Sequence, residues 1–356
     1  MSMNCLLLSR YGPLAASSRL RFYQYLPHLR SLDIQVEVAP FLDDRYVESL
    51  YAGRPTNWSQ VFNAYCSRIP DLRRCRNFDL VWLEAEVLPW LPAWGEAWMS
   101  RCKVPYVVDY DDAAFHRYDL HSFWPVRWFL GNKIDMVMKR AKVVVAGNEY
   151  LARRAHQAGA IRVEVLPTVV DLNRYSPAPS QSEDRFVIGW IGSPVTAGYL
   201  EALEPVLRRI GGTGNVLLRA CGSGPIQWKD VHLDSVDWSE ETEAQTIQTF
   251  HAGVMPLPKT SWAEGKCGYK LIQYMACGLP VVASPVGANR QIVRQSATGF
   301  LAESAEEWVQ ALTFLRDHLD VRAQMGRAGR RDVETKYCLQ VTAPRLGQLL
   351  LEAAGR

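Results

Sequence analysis

The chain has 356 residues, 48% of them apolar and 22% charged, with a formal charge of +3. That length exceeds what one hydrophobic core usually serves, so two domains are expected. So small a net charge removes composition as an argument for a nucleic-acid partner, and none is expected. The eight cysteines form no CxxC pair and no His/Cys cluster at metal spacing, which points to buried free thiols in a reducing, cytoplasmic compartment. The apolar run 5–8 is too short for a signal peptide or a membrane span.

In chain order, apolar runs of strand length alternate with segments of helical spacing. Residues 5–8, 34–38, 80–83, 106–108, 143–146 and 163–166 read as strands. Between them 18–29, 88–99, 126–140 and 149–157 repeat apolar residues at helical period. Residues 171–185 are polar, interrupted by Pro177 and Pro179, and suit a linker. The pattern then restarts, with strands at 186–191, 216–220, 253–257, 281–283 and 300–301 and helices near 198–210, 241–250, 269–277, 305–319 and 341–354. Short strands alternating with helices make mostly parallel sheets covered on both faces. The expected fold class is therefore α/β. Two doubly wound Rossmann-like domains span 1–170 and 186–336, and a helix in 337–356 can pack back on the first.

In the first half, Ser9-Arg-Tyr-Gly-Pro-Leu-Ala-Ala-Ser-Ser-Arg-Leu-Arg-Phe22 follows the first strand. Gly12 lets the chain approach a ligand, and Ser17 or Ser18 can cap the next helix. Arg19 and Arg21 then oppose the dipole of that helix, which a phosphate partner would explain; arginines lying along an exposed face are the alternative. Glu84 and Glu86 follow the third strand. The fourth releases Asp109, Asp111 and Asp112 together at its carboxyl end. Three readings of those carboxylates stand side by side. Asp109-Tyr-Asp111 can hold a divalent cation; Asp111 or Asp112 can sit beside a reacting sugar, with His116 near; or Asp111 or Asp112 can cap the next helix. Residues 121–130 mix aromatics with arginine, for which core packing is the simpler reading and a lipid-linked acceptor at a membrane surface the other. The stretches 43–75 and 117–133 read as loops that choose the acceptor.

In the second half, the strand 186–191 runs into a glycine turn at Gly192, where Ser193 and Thr196 can cap a helix or donate to a phosphate oxygen. This is no G-x-G-x-x-G fingerprint, so a nicotinamide cofactor gains no support. The strongest signal is Glu264-Gly-Lys-Cys-Gly-Tyr-Lys270, running into a helix that stops at Gly278-Leu-Pro280 and then a buried strand. Gly265 and Gly268 allow close backbone approach, unpaired amides at a helix start favour an anion, and Lys266 and Lys270 add charge.

With GKCGYKLIQYMACGLPVVASPVGAN (265–289), IGWIGSP (188–194), GVMPLP (253–258), VVAGNEYLA (144–152), VLPTVVD (165–171), SSRLRF (17–22) and VVDYDDAAF (107–115), nearly the whole chain resembles the retaining nucleotide-sugar glycosyltransferases of family 4. The resemblance implies the GT-B fold, with two Rossmann-like domains facing across a cleft, and a hexosyltransferase-like, metal-independent activity in glycan biosynthesis. It implies a nucleotide diphosphate sugar as donor substrate, no cofactor, and an acceptor hydroxyl on a glycan, a lipid-linked or a small molecule, in the cytoplasm or at the inner face of the membrane. Asp111, Asp112 and Lys266 would be catalytic. Gly12, Arg19, Arg21, Gly192, Ser193, Glu264, Gly265, Lys266, Cys267, Gly268, Lys270 and Gln273 would hold the donor.

Two departures count. Many members carry glutamates eight positions apart at the donor site, where this chain has Gly265 and Gln273, with Glu264 one place away. Many also have an arginine and a lysine where this chain has Ser193 and Gly198. The diphosphate charge must then be met by Lys266, Lys270, Arg19 or Arg21. An epimerase of the same architecture, a phosphorylase and a non-catalytic sugar-nucleotide-binding protein are the rival readings.

Overall fold

A computed structural model describes residues 2–179, 184–211 and 215–356. Of the expected linker 171–185, residues 180–183 lie outside the described residues. By contact the chain forms two units: Met1–Thr168 with Gly265–Cys267 and Thr342–Arg356, and Val169–Glu264 with Gly268–Val341.

The first unit is built on β1 (Met3–Leu8), β2 (Ile34–Val38), β3 (Leu80–Glu84), β4 (Tyr106–Tyr110), β5 (Val143–Ala146) and β6 (Val163–Val165), in the order β2-β1-β3-β4-β5-β6 with every pair parallel. β3, β4 and β5 are buried along their whole length. Helices cover both faces of such a sheet, so its strands read as unbroken apolar runs without alternation. The strand order reverses between β1 and β3, and in open parallel sheets that switch point opens a crevice at the carboxyl ends. The C-terminal helix Leu339–Ala354 adds Arg345 to Glu164 at 3.1 Å and Glu352 to Arg162 at 2.7 Å.

The second unit has β7 (Phe186–Ile191), β8 (Val216–Cys221), β9 (Leu233–Val236), β10 (Ala252–Met255), β11 (Val281–Ala283) and β12 (Gly299–Leu301), again all parallel, in the order β12-β11-β10-β7-β8-β9. Its switch point lies between β7 and β10. The glycine turn at Gly192 leaves the carboxyl end of β7, so it stands at that point.

Several expectations about elements need correction. The stretch 43–75 is not a loop: it holds helices Asp44–Tyr51 and Trp58–Arg74, capped by Asp43 and Asn57. Exposed Trp58 and Phe62 blur the apolar stripe that would mark the second helix. The strand β9 was unreadable because it is a half-exposed edge strand carrying Asp234 and Ser235. Helix Leu319–Lys336 is too polar to show a strong period, and Gly326 and Gly329 are buried on it. The helix expected at 126–140 is two, Trp124–Leu130 and Lys133–Arg140, parted at Gly131. The one expected from residue 88 begins at Trp94.

Candidate functional site

The second unit's candidate groups surround β7 and the helix Tyr269–Ala276. Gly192 leads to Ser193, whose backbone N–H donates to Thr196 Oγ1 at 3.2 Å at the head of the helix Pro194–Ala197. These two residues therefore do serve as caps, and a four-residue helix carries little dipole for an anion. Gly268 caps the helix Tyr269–Ala276 with φ +68°, a left-handed conformation that only glycine adopts cheaply. Lys270 follows in the first turn, its Nζ 4.9 Å from the centre of the Trp190 ring, a cation–π contact.

Gln273 is buried one turn further along and donates from Nε2 to Tyr175 Oη at 2.9 Å. Tyr175 donates in turn to Glu243 Oε1 at 2.5 Å, and Trp238 Nε1 donates to Glu243 Oε2 at 2.8 Å. Gln273 thus belongs to a chain of donors converging on one carboxylate, to which Arg174 Nη2 also donates at 3.5 Å. Tyr175 and Glu243 escaped sequence reading because their chain positions lie far from Gln273 and neither belongs to a motif. Glu264 is held by Arg290, which donates to both its oxygens at 2.9 and 3.0 Å, and by the Gly287 N–H at 3.0 Å.

The first unit gathers its charges at the carboxyl ends of β1, β3 and β4. Gly12 lies against Asp44, so that a Cβ there would meet the carboxylate at 2.2 Å. Ala15, not Ser17 or Ser18, caps the helix Ala16–Arg21. Ser18 is buried inside it and donates to Glu84 Oε2 at 2.7 Å, and the Arg10 N–H donates to the same oxygen at 2.7 Å. Burial, strengthened by nearby Asp111, raises the Glu84 carboxyl to about 7 against those two hydrogen bonds.

The expectation of Arg21 as a phosphate ligand does not survive. Its Nε and Nη2 donate to Asp109 Oδ1 at 2.9 and 2.7 Å, while Nη1 donates to Leu166 O at 2.8 Å and Thr168 Oγ1 at 3.3 Å. Both partners are buried, so the pair is a structural tie that removes Asp109 from any shared cation site with Asp111. Arg19 is half-buried and donates to the Pro13 and Leu14 carbonyls at 3.4 and 3.3 Å. His116 is not poised beside a reacting group: Nδ1 meets Asp119 at 2.8 Å and Nε2 meets Tyr150 Oη at 2.7 Å.

What the fold does bring together is the segment Gly265–Cys267 and the loop after β4. Gly265 packs so closely on Ala113 that a Cβ would lie 2.7 Å from its backbone nitrogen. Asn148 Nδ2 donates to Gly265 O at 2.9 Å and Lys266 O at 3.1 Å, while its Oδ1 caps the helix Glu149–Gln157. The Cys267 thiol donates to Asp111 O at 2.8 Å, and burial pushes its pKa well up, so it is no nucleophile.

Lys266 Nζ reaches both oxygens of Asp112 at 2.9 and 3.0 Å. Asp112 is raised to about 6 by burial and by Asp111, with Lys266 pulling the other way. The Asp111 carboxylate is half-buried and makes no hydrogen bond or ion pair to the described residues. Among the described residues no three His, Cys, Asp or Glu side chains converge as metal ligands.

Glu86 stands at the other edge of this cluster. It accepts from Tyr118 Oη at 2.9 and 2.8 Å and pairs with buried Lys133. Both glutamates after β3 are therefore central, where sequence reading gave them a minor place. The aromatics of 121–130, expected in the core, are on the surface: Phe123, Trp124, Trp128 and Phe129 are between 61% and 71% exposed. No helix among the described residues is long and apolar enough to cross a membrane.

Residues 185–318 match the family described as "Glycosyl transferases group 1". No curated protein sequence matches the chain. Among solved structures, HepE from Anabaena in complex with UDP and glucose superposes with a TM-score of 0.71 at 14% identity, over 98% of this chain and 99% of that one. Sucrose-phosphate synthase from Thermosynechococcus elongatus gives 0.72 at 13% identity, over 98% of both chains. A glycosyltransferase from Rickettsia africae gives 0.70 at 13%, over 99% of this chain and 98% of that one. The chain has the GT-B fold.

Proposed function

We propose that the protein transfers a sugar from a nucleotide diphosphate sugar to an acceptor hydroxyl, with the anomeric configuration retained. The group 1 match in the second unit supports this, as does fold likeness to HepE, which was solved with UDP and with UDP-glucose. The observation that carries it is the Lys266–Asp112 pair, in which a lysine at the glycine-rich turn is matched with a carboxylate of raised proton affinity.

In this reading the nucleotide lies on the second unit beside Gly192 and Ser193, while buried Gln273 supports the site from behind through Tyr175. The bond from the anomeric carbon to the diphosphate oxygen breaks, and a bond to the acceptor oxygen forms. Lys266 meets the charge developing on the departing diphosphate. Drawn to that charge, Lys266 no longer holds Asp112 ionised; the proton affinity of Asp112 rises and it takes the acceptor proton. Asp111, with no partner of its own, accepts from a substrate hydroxyl. Lys270 and the Gly268 amide complete the second unit's donor contacts. No metal or cofactor enters the mechanism, so a chelator should leave the rate unchanged. The exposed aromatics of 123–129 support contact with the inner face of a membrane, at the level where tryptophan rings prefer to lie.

A melting-temperature screen of nucleoside diphosphates and their sugars tests the donor, because a ligand of the folded state alone raises the transition. With the responding donor, proton NMR of the product reads the anomeric configuration. An inverted product would overturn the retaining mechanism. A new sugar nucleotide formed from donor alone would replace transfer with epimerisation.

A further inference from the structure

Two arginines of the first unit, Arg10 and Arg117, reach the same oxygen of Glu86 only at ion-pair distance, and one nitrogen of Arg117 has no hydrogen-bond partner among the described residues. Arg10, just after β1, spends Nε on Tyr11 Oη at 3.2 Å, and its Nη1 lies 3.7 Å from Glu86 Oε1. Arg117, in the loop helix after β4, places its own Nη1 3.7 Å from that same oxygen. A separation of 3.7 Å is beyond hydrogen-bond reach. Arg117 Nη1 is nevertheless shut off from solvent, with no hydrogen-bond partner among the described residues.

Glu86 cannot serve both arginines better, because its oxygens already accept from Tyr118 and Lys133. Three cations therefore converge on one carboxylate. Burial, aggravated by Arg10, holds the Arg117 guanidinium below its ordinary value. Leaving such a group without acceptors costs stability, and an incoming anion would recover it.

We propose that Arg10 and Arg117 form an anion subsite for a phosphate group carried by the acceptor. Two guanidinium groups present more charge and more donors than one carboxylate can use, whereas a phosphate offers three oxygens and nearly two charges. The subsite lies wholly in the first unit, at the carboxyl ends of β1 and β4 on either side of β3. It names the acceptor's chemistry within the transferase reading and rests on that reading.

Inorganic phosphate titrated into the full chain with the nucleoside diphosphate of largest melting shift held saturating, so that the donor side is filled, tests the subsite by melting temperature. Wild-type protein should respond, and the Arg10→Gln/Arg117→Gln double variant should bind phosphate at least about tenfold more weakly. If the double variant does not fold, Arg117→Gln alone carries the same expectation, since its side chain makes no hydrogen bond in the free protein. Cosedimentation with phosphatidylcholine vesicles, with and without phosphatidic acid, forms a second arm. Arginine-dependent binding in either arm supports the subsite, the first assigning a soluble phosphate and the second a lipid headgroup. Equal responses of variant and wild type, or no response from either protein in both arms, overturn it. The nucleotide shift is read separately: no response to any nucleoside diphosphate would count against the transferase reading and leave the phosphate result standing.

Discussion

The two units share a parallel α/β plan but treat charge in opposite ways at their strand ends. In the first, the pairs Arg21–Asp109 and Lys266–Asp112 and the three cations Arg10, Arg117 and Lys133 around Glu86 crowd the ends of β1, β3 and β4. In the second, a buried chain of Gln273, Tyr175 and Trp238 converges on a single carboxylate, Glu243, and Lys270 faces an aromatic ring. In the first unit burial raises three of these carboxyls, Glu84, Asp109 and Asp112. Buried carboxylates held near neutrality tie the first unit's stability to pH, while hydroxyl, amide and indole donors do not titrate in that range.

Breaking the buried Arg21–Asp109 pair should have the largest effect. Arg21→Leu leaves Asp109 buried without its cation and should cost about 3–5 kcal/mol of stability, read from urea unfolding. A loss below about 1 kcal/mol would mean that the pair is not the tie the geometry indicates.

The pH dependence comes next, and its sign follows from the proton affinities. Glu84 is raised from 4.5 to about 7, so between those values the folded state holds a proton that the unfolded chain has released. Stability should fall as pH rises through that window, by on the order of 3 kcal/mol from Glu84 alone. Asp109 and Asp112, each raised to about 6, act in the same direction. Glu84→Gln should flatten the profile between pH 5 and 8; an unchanged slope would remove Glu84 as its source.

Third, Lys266→Ala should lower the transfer rate about 100-fold while the fold persists, as loss of one preorganised charge on a leaving group does. Unchanged rate and donor affinity would sink the role proposed for the pair. The smallest effect belongs to the second unit. Gln273→Ala removes one neutral hydrogen bond to Tyr175 and should cost about 1 kcal/mol of stability, with no new pH dependence. A pH-dependent loss would erase the contrast between the units.

The family-like blocks 265–289 and 188–194 marked the second unit's loops because glycine at a turn and an unbroken apolar strand are local signals. The central place of Glu84 and Glu86 was hidden. Their partners Ser18, Arg10, Tyr118 and Lys133 come from three other segments, and no spacing rule joins them. Arg21 misled for a related reason. A basic residue in a first turn looks the same in sequence whether it meets a phosphate or a buried aspartate 88 positions away.

The sequence by itself determined the layers, since alternating apolar runs and helical periods are set by which faces must leave water. Only the tertiary structure decided which charges neutralise one another. It paired Lys266 with Asp112 and Arg21 with Asp109, and set Arg10 and Arg117 on one oxygen of Glu86, with Arg117 Nη1 lacking a hydrogen-bond acceptor among the described residues. The physical reason is range. Backbone preference and hydrophobic period act within a few residues, whereas a buried charge is settled by whatever the fold carries to within about 4 Å of it.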